Sequence, residues 1–275
     1  MDLQFAVDGE LCTRCGQCVL DCPTLIIHQS GDAVPAIPAD EAGDCMECQH
    51  CLAVCPTGAL SILGRNPADS LELTTDALPS LDEMTRLVRG RRTVRQYADT
   101  DVDPALLATI LAAMANAPSG VNRRELTIHV IDRREVMVGI KKTVMDTLAD
   151  LVAMGGIPGE TGLGRYLRIY NETGRDVIFR GAPHALIVTA PTSAPCPQED
   201  VTLSLAYFEL MAQSAGLGTV WWGLIKWVLE TQPILKPLFG IEPDTVYYAM
   251  LFGNPLVRYA RTVQRDDGAA VKYIR

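Results

Sequence analysis

The sequence predicts an α+β protein in two unequal domains, and three observations carry that reading. Eight of the nine cysteines fall in two matching runs within the first 64 residues. Behind them, apolar stretches of strand length and of helix length interleave irregularly, which suits a layered α+β domain better than a doubly wound one. The chain has 275 residues, 48% of them hydrophobic, enough for about two separate cores. The expected boundaries are a cysteine-bearing domain over 1–64, a linker over 65–81 and a second domain over 82–275.

Residues 12–23 read Cys-Thr-Arg-Cys-Gly-Gln-Cys-Val-Leu-Asp-Cys-Pro, and residues 45–56 repeat the grammar as Cys-Met-Glu-Cys-Gln-His-Cys-Leu-Ala-Val-Cys-Pro. Cys12, Cys15, Cys18 and Cys22 recur after one fixed interval as Cys45, Cys48, Cys51 and Cys55, and Pro23 recurs as Pro56. Two runs at this C-x2-C-x2-C-x3-C-P spacing are what a pair of [4Fe-4S] clusters needs. A cubane takes one thiolate at each of its four irons. Three come from a tight loop, and in paired clusters the fourth comes from the other run. That assigns Cys12, Cys15, Cys18 and Cys55 to one cluster and Cys45, Cys48, Cys51 and Cys22 to the other. The stretch of about residues 2–63 resembles the bacterial-type ferredoxins. Zinc fits less well, because its sites take two C-x2-C pairs, not two quartets each closed by Cys-Pro. Disulfides need an oxidising compartment, and the opening Met-Asp-Leu-Gln-Phe-Ala-Val-Asp shows no basic stretch leading into an apolar one. No stretch is long enough to span a bilayer, because the best candidate, Val220 to Leu229, is interrupted by Lys226. A cytoplasmic protein is the expectation.

Charge is unevenly placed. Residues 1–64 hold nine acids (Asp2, Asp8, Glu10, Asp21, Asp32, Asp40, Glu41, Asp44, Glu47) against Arg14 alone, so nearly all of the net charge of −9 lies there. Such a surface disfavours nucleic acid and suits either plain solvation or an electron-donor protein with a basic docking face.

The later elements follow in order. Ser80-Leu-Asp-Glu83 has capping-box spacing and starts a helix that runs to about Gly90. Asp103-Pro104 opens the next, through Leu106, Leu107, Ile110, Leu111 and Met114. Leu126 to Ile131 reads as a strand and Glu135 to Met154 as a long helix. Strands follow at His184 to Ala190, Thr219 to Trp222 and Thr245 to Phe252, with a buried helix from Asp200 to Ala215. Gly155 to Gly164 reads as a surface loop or a lid. Gly216-Leu-Gly218 and Gly162-Leu-Gly164 each lack the third glycine of a dinucleotide fingerprint, so a separate nicotinamide domain is not expected.

Arg91-Arg92-Thr93-Val94-Arg95-Gln96-Tyr97 is dense in guanidinium groups, which hold phosphate through paired hydrogen bonds. Ala117-Pro118-Ser119-Gly120-Val121-Asn122 follows one helix later, then Gly216-Leu-Gly-Thr-Val-Trp-Trp-Gly223, then Gly253-Asn-Pro255 leading to Tyr259, Arg261 and Arg265. In this order the set resembles the nitroreductase family of FMN flavoproteins over about residues 83–275, which implies a three-layer α/β/α domain. The resemblance implies that Arg91, Arg92 and Thr93 form the N-terminal FMN anchor, with threonine for the usual serine, and that Arg265, helped by Arg261, forms the C-terminal phosphate anchor. It places Arg95 near flavin N1 and the C2 carbonyl, where a fixed positive charge raises the flavin potential. Pro118, Ser119 and Asn122 pack on the cofactor, and the Gly223 N–H points at flavin N5. Two subunits build each flavin site in this family, so a homodimer is implied. Arg124-Glu125-Leu126 stands where the family has Gln-Pro-Trp, so substrate preference does not transfer, and Asn254 replaces a tyrosine.

Of the remaining candidates, His50 reads as a surface residue near a cluster, His129 and His184 as core or edge strand residues, and His28 carries no signal. Trp221, Trp222 and Trp227 read as core, with Trp221 or Trp222 at the border of the flavin. Glu199-Asp200 reads as a helix N-terminus and Cys196, between Pro195 and Pro197, as an incidental thiol. No general acid stands out. Clusters pass single electrons whereas FMN handles one or two. The expected activity is therefore an oxidoreductase that reduces a small electrophile, such as a nitroaromatic, quinone or activated alkene, with electrons entering through the clusters. The alternatives are NAD(P)H acting directly at the flavin, or a redox relay or sensor with no substrate of its own.

Overall fold

The computed structural model describes residues 2–74, 77–265 and 268–275; residues 75 and 76 of the expected linker and the first residue of the expected first domain lie outside the described residues. Contacts divide the chain into one unit of Met1–Pro79 with Val121–Arg123, and another of Ser80–Gly120 with Arg124–Arg275.

The first unit is a duplicated framework. Strand β1 (Ala6–Val7) pairs antiparallel with β2 (Leu60–Ser61), Ala6 opposite Ser61. Short helices α1 (Gln17–Leu20) and α2 (His50–Ala53) occupy matching places in the two cysteine runs. Each is entered through a left-handed residue, Gly16 at φ 72° and Gln49 at φ 59°. Matching positive φ values at Arg14 (59°) and Glu47 (53°) show the two loops turning alike. Leu3, Ile26, Ile27, Leu52, Leu60 and Ile62 form the small core, with Cys22 and Cys51 buried among them.

The second unit is a three-layer domain. Its sheet holds β3 (Thr127–Ile131), β4 (His184–Pro191), β5 (Gly218–Trp221) and β6 (Thr245–Gly253) in the order β3-β4-β6-β5, with every pairing antiparallel. The central strands are apolar on both faces, as burial on both sides requires. Leu186, Val188, Met250 and Phe252 face α4 (Pro104–Met114) and α7 (Pro197–Ser214). Ala185, Ile187, Ala249 and Leu251 face α5 (Arg134–Ala153), α6 (Gly162–Thr173) and α8 (Gly223–Thr231). The alternation within each strand thus assigns residues to the two outer layers.

Helix α3 (Leu81–Gly90) begins with the full capping box: the Glu83 N–H donates to Ser80 Oγ at 3.3 Å, and the Ser80 N–H donates to Glu83 Oε2 at 2.8 Å. Asp103 caps α4 by accepting from the Ala105 N–H at 2.9 Å. Two helices, α6 and α8, go beyond the sequence reading, and Trp227 corrects it: it is 43% exposed, whereas Trp222 is 2% exposed and in the core. Residues 155–164 close on themselves, since a Cβ at Gly164 would lie 2.1 Å from the Pro158 carbonyl oxygen.

Gly218 shows how tightly the chain is drawn together at β5. A Cβ there would stand 2.7 Å from both Cβ and Cγ1 of buried Val94. Gly218→Ala is expected to destabilise the protein by about 1–3 kcal/mol, the usual cost of overpacking, read as a lower thermal unfolding midpoint.

Candidate functional site

The eight repeated cysteines surround two separate cavities. One is lined by Cys12, Cys15, Cys18 and Cys55; the other is lined by Cys22, Cys45, Cys48 and Cys51. Among the described residues no three Cys, His, Asp or Glu side chains close tightly enough to hold a single metal ion. The thiols stand instead on the cavity walls, the arrangement a cubane fits. Apolar neighbours, Val7 and Leu60 in one cavity and Ile26, Ile27, Ile37 and Ile62 in the other, complete the lining. Burial pushes the thiols of Cys18 and Cys45 up and that of Cys51 to about 12. Iron ligated here would take these cysteines as thiolates, as cluster ligation requires.

Cys22 and Cys55, the remote fourth members, behave differently. Burial raises both, but hydrogen bonds outweigh it and leave each thiol below its ordinary value. For Cys22 the donors are the Thr24 hydroxyl and the N–H groups of Ile26, Thr24 and Leu25; for Cys55 they are chiefly the N–H groups of Thr57 and Ala59. Thr24 Oγ1 lies 3.6 Å from Cys22 Sγ and Thr57 Oγ1 3.8 Å from Cys55 Sγ, while the Ala59 N–H donates to Cys55 Sγ at 3.3 Å. The Cys-Pro-Thr triplet thus recurs with its backbone donors, while the Thr57 hydroxyl, unlike that of Thr24, donates to the Leu11 carbonyl at 2.9 Å.

In the second unit the basic segment is zipped between two stretches of chain. Thr93 bridges Thr219 in parallel, and the Val94 N–H donates to the Thr219 carbonyl at 2.9 Å. Tyr97 bridges Pro255, the Ala98 N–H donates to the Asn254 carbonyl at 2.8 Å, and the Leu256 N–H donates to the Gln96 carbonyl at 3.0 Å. The Tyr259 hydroxyl donates to the Thr93 carbonyl at 3.1 Å. Asn254 therefore serves the fold, its amide donating to Thr100 Oγ1 at 3.1 Å. Arg91 Nη1 is held 3.1 Å from Glu209 Oε1. Arg92 Nη2 donates to the Arg89 carbonyl, while its Nε is buried without a partner. Burial, and then the neighbouring charge of Arg95, hold the Arg180 guanidinium below its ordinary pKa.

Pro118 and Ser119 lie elsewhere, at the start of α7. The Gly120 N–H donates to Oδ1 of buried Asp200 at 2.9 Å, and a Cβ on Gly120 would lie 3.0 Å from Cys196 Cβ. Ser119 Oγ accepts from the Arg124 N–H at 3.0 Å. Asn122, grouped with the first unit, donates through Nδ2 to the Met46 carbonyl at 2.8 Å. Asp200 and Glu209 are nine positions apart on α7, about 14 Å at 1.5 Å per residue. The structure thus gathers Arg91, Arg92, Thr93 and Arg95 in one place and anchors Pro118 and Ser119 in another. Gly223 opens α8 beside the Tyr248 hydroxyl, which would lie 3.2 Å from its Cβ, and Arg261 and Arg265 lie exposed on the C-terminal arm.

The sequence reading missed Glu209, Thr24, Thr57 and the buried role of Asp200. Glu209 left a legible signal, a lone charge inside the apolar run Leu205-Ala-Tyr-Phe-Glu-Leu-Met-Ala212. His184 is fully buried, with burial lowering its pKa, and its Nε2 accepts from the Val102 N–H at 3.0 Å. It is a structural histidine, as expected.

A family model described as the nitroreductase family matches residues 88–254, and one described as a 4Fe-4S dicluster domain matches residues 11–60. The chain belongs to the nitroreductase family and carries an iron–sulfur ferredoxin domain ahead of the family's own; it is an oxidoreductase. A ferredoxin-like protein in the vnf region of Azotobacter chroococcum mcd 1 is 40% identical over 57 residues, 20% of this chain and 85% of that protein. Among solved structures, a nitroreductase with bound FMN from Desulfitobacterium hafniense DCB-2 is 21% identical at a TM-score of 0.55, covering 71% of this chain and 100% of that one. A nitroreductase with bound FMN from Bacteroides fragilis NCTC 9343 is 18% identical at 0.54, covering 69% and 99%. The FMN-dependent nitroreductase NfnB from Mycobacterium smegmatis, in complex with NADPH, is 18% identical at 0.52, covering 69% and 98%. At these identities the structural likeness speaks for the fold. No helix among the described residues is long and apolar enough to cross a membrane.

Proposed function

We propose that the chain is an FMN-dependent oxidoreductase that couples one-electron transfer through two [4Fe-4S] clusters to two-electron reduction of a small electrophile, a nitroaromatic, quinone or activated alkene. The observation that carries this is the pair of four-cysteine cavities on the same polypeptide as a nitroreductase-family domain. Clusters pass electrons singly and FMN can exchange one or two, so the two groups together convert between the supplies. Cys12, Cys15, Cys18 and Cys55 hold one cluster; Cys45, Cys48, Cys51 and Cys22 hold the other. Arg91, Arg92 and Thr93 hold the flavin phosphate, with Arg265 and Arg261 brought to it on the C-terminal arm. The orphaned buried Nε of Arg92 and the cationic cluster around Arg95 and Arg180 suit an anionic group. Arg95 lies at the pyrimidine edge, and Pro118, Ser119 and Asn122 cover the cofactor. Gly223, entering α8, offers its N–H to the ring.

The separation of the basic segment from the Pro118–Ser119 loop along α7 suits a homodimer in which each flavin site draws on both copies. The acidic first domain suits an electron-donor protein with a basic face. Domain limits of 1–64, 65–81 and 82–275, and a cytoplasmic setting, belong to the same reading. The test is anaerobic mixing of the purified protein with reduced ferredoxin, NADH or NADPH while flavin absorbance is followed. Rapid bleaching by reduced ferredoxin, and steady turnover of an added nitroaromatic or quinone, are expected. Fast bleaching by NADPH alone overturns the proposed electron entry, and reoxidation only by a protein partner makes the chain a relay.

A further inference from the structure

The carboxylate of Glu209 is 7% exposed in residue terms and hydrogen-bonded on both oxygens. Oε1 accepts from Arg91 Nη1 at 3.1 Å and from Thr219 Oγ1 at 3.3 Å, and Oε2 accepts from Trp221 Nε1 at 3.1 Å. Its donors come from both of the motifs that flank it in space, the basic segment after α3 and the two ends of β5. Its helical neighbours Leu205, Phe208 and Ala212 are buried and apolar. Stability does not explain such a group, because replacing a buried ion pair by well-packed apolar residues is often neutral or stabilising. What a saturated carboxylate does provide is direction: a guanidinium held at Nη1 is restricted in orientation and keeps its other edge for a ligand.

We propose that Glu209 is a positioning residue for the flavin phosphate site, aiming Arg91 at the phosphate and tying it to Trp221. The inference rests on the FMN reading above. With Nη1 held by Glu209, the Nε and Nη2 edge of Arg91 is the edge that gives a phosphate two parallel bonds. The Arg91 side chain is 30% exposed, so it is within reach of a ligand. Glu209 also cancels the charge of Arg91, so Arg91 contributes geometry while Arg92 and the C-terminal arginines contribute net charge.

The test compares binding of FMN and of riboflavin, which lacks the phosphate, to the full-length protein stripped of flavin, for wild type, E209Q, R91A and the double variant. E209Q cannot satisfy both the Arg91 and Trp221 donors as a carboxylate does. It is expected to weaken FMN binding about tenfold, the scale of one hydrogen bond to a charged group, with riboflavin changed less than about twofold. In the R91A background E209Q is expected to add nothing, because both act through one contact. Equal weakening of both flavins, or effects of E209Q and R91A that simply add, overturns the proposal and leaves Glu209 a purely structural group. If E209Q does not fold, Glu209→Asp decides the question, since it keeps the charge and draws the carboxylate back by one methylene. FMN-selective weakening supports the proposal and unchanged binding overturns it. Wild-type protein that binds neither flavin defeats the FMN reading itself, a separate outcome.

Discussion

Replacing Cys12 and Cys55 together by alanine is expected to leave one intact [4Fe-4S] cluster, whereas replacing Cys12 and Cys22 together is expected to leave none. The two double variants remove the same number of thiols, and the second pair lies within a single run. Only the cavities distinguish them. Cys12 and Cys55 line one cavity and Cys22 lines the other, so the first pair spoils one site and the second spoils both. Iron and acid-labile sulfide are expected to fall by about half in the first variant and nearly to zero in the second, since each cubane depends on all four of its thiolates. Reduced-state EPR of the first should show one cluster without the broadening that a nearby second cluster produces. The reverse result, with the Cys12–Cys22 pair keeping one cluster, means that each run closes its own site and sinks the crossed assignment. Flavin content is expected to be unchanged in both, because no cysteine of the runs lies in the flavin-binding segments.

The eight cysteines were legible because cluster ligation fixes both residue type and local spacing, and the repeat shows the grammar twice. The capping boxes and proline starts of α3 and α4 were legible for the same reason: their signals lie within four residues. Helix α8 was hidden although its buried residues, Ile225, Val228 and Leu229, have helical spacing. It follows β5 with only Trp222 between, so the glycine that closes one motif also starts the helix. Helix α6 was hidden by its own glycines, Gly162 at φ 54° and Gly164 against the Pro158 carbonyl, which read as a loop. Trp227 was misplaced because an indole suggests a core, although position 227 falls between the buried positions 225 and 228 on α8. Asp200 and Glu209 could be seen as acids on a buried helix, but their partners Gly120, Arg91, Thr219 and Trp221 are set by tertiary structure. Local pattern shows that a buried acid needs donors; it does not show which ones.

Tyr207→Asp is expected to convert the protein to a monomer and to empty most of its flavin sites. Helix α7 buries Leu205, Phe208 and Ala212 against the sheet, yet its other side carries Leu203 at 39%, Tyr207 at 40% and Met211 at 37% exposure. These recur every four residues and so form one stripe. On α3, Leu81 at 83% and Val88 at 54% exposure, with Met84 between them, form a second. A helix apolar on both sides needs cover on both, and a second copy in a twofold arrangement presents the same stripe in return. Such an arrangement also answers the separation of about 14 Å, from the helical rise, between the residues that anchor the basic segment and the Pro118–Ser119 loop on α7. In the proposed homodimer a twofold axis across α7 would set the loop of one copy beside the basic segment of the other, which is why one carboxylate in the stripe is expected to act on both assembly and cofactor. Sedimentation velocity and flavin content, measured on one preparation, check the linkage. A Tyr207→Asp monomer that keeps its full flavin shows each site complete in one chain, and a wild-type monomer removes the dimer altogether. The [4Fe-4S] content should not change in either case, because the first domain has its own core around Leu52, Leu60 and Ile62. The clusters therefore report only that the first domain is intact, and the thermal unfolding midpoint of the variant checks whether the domain that carries Tyr207 has folded.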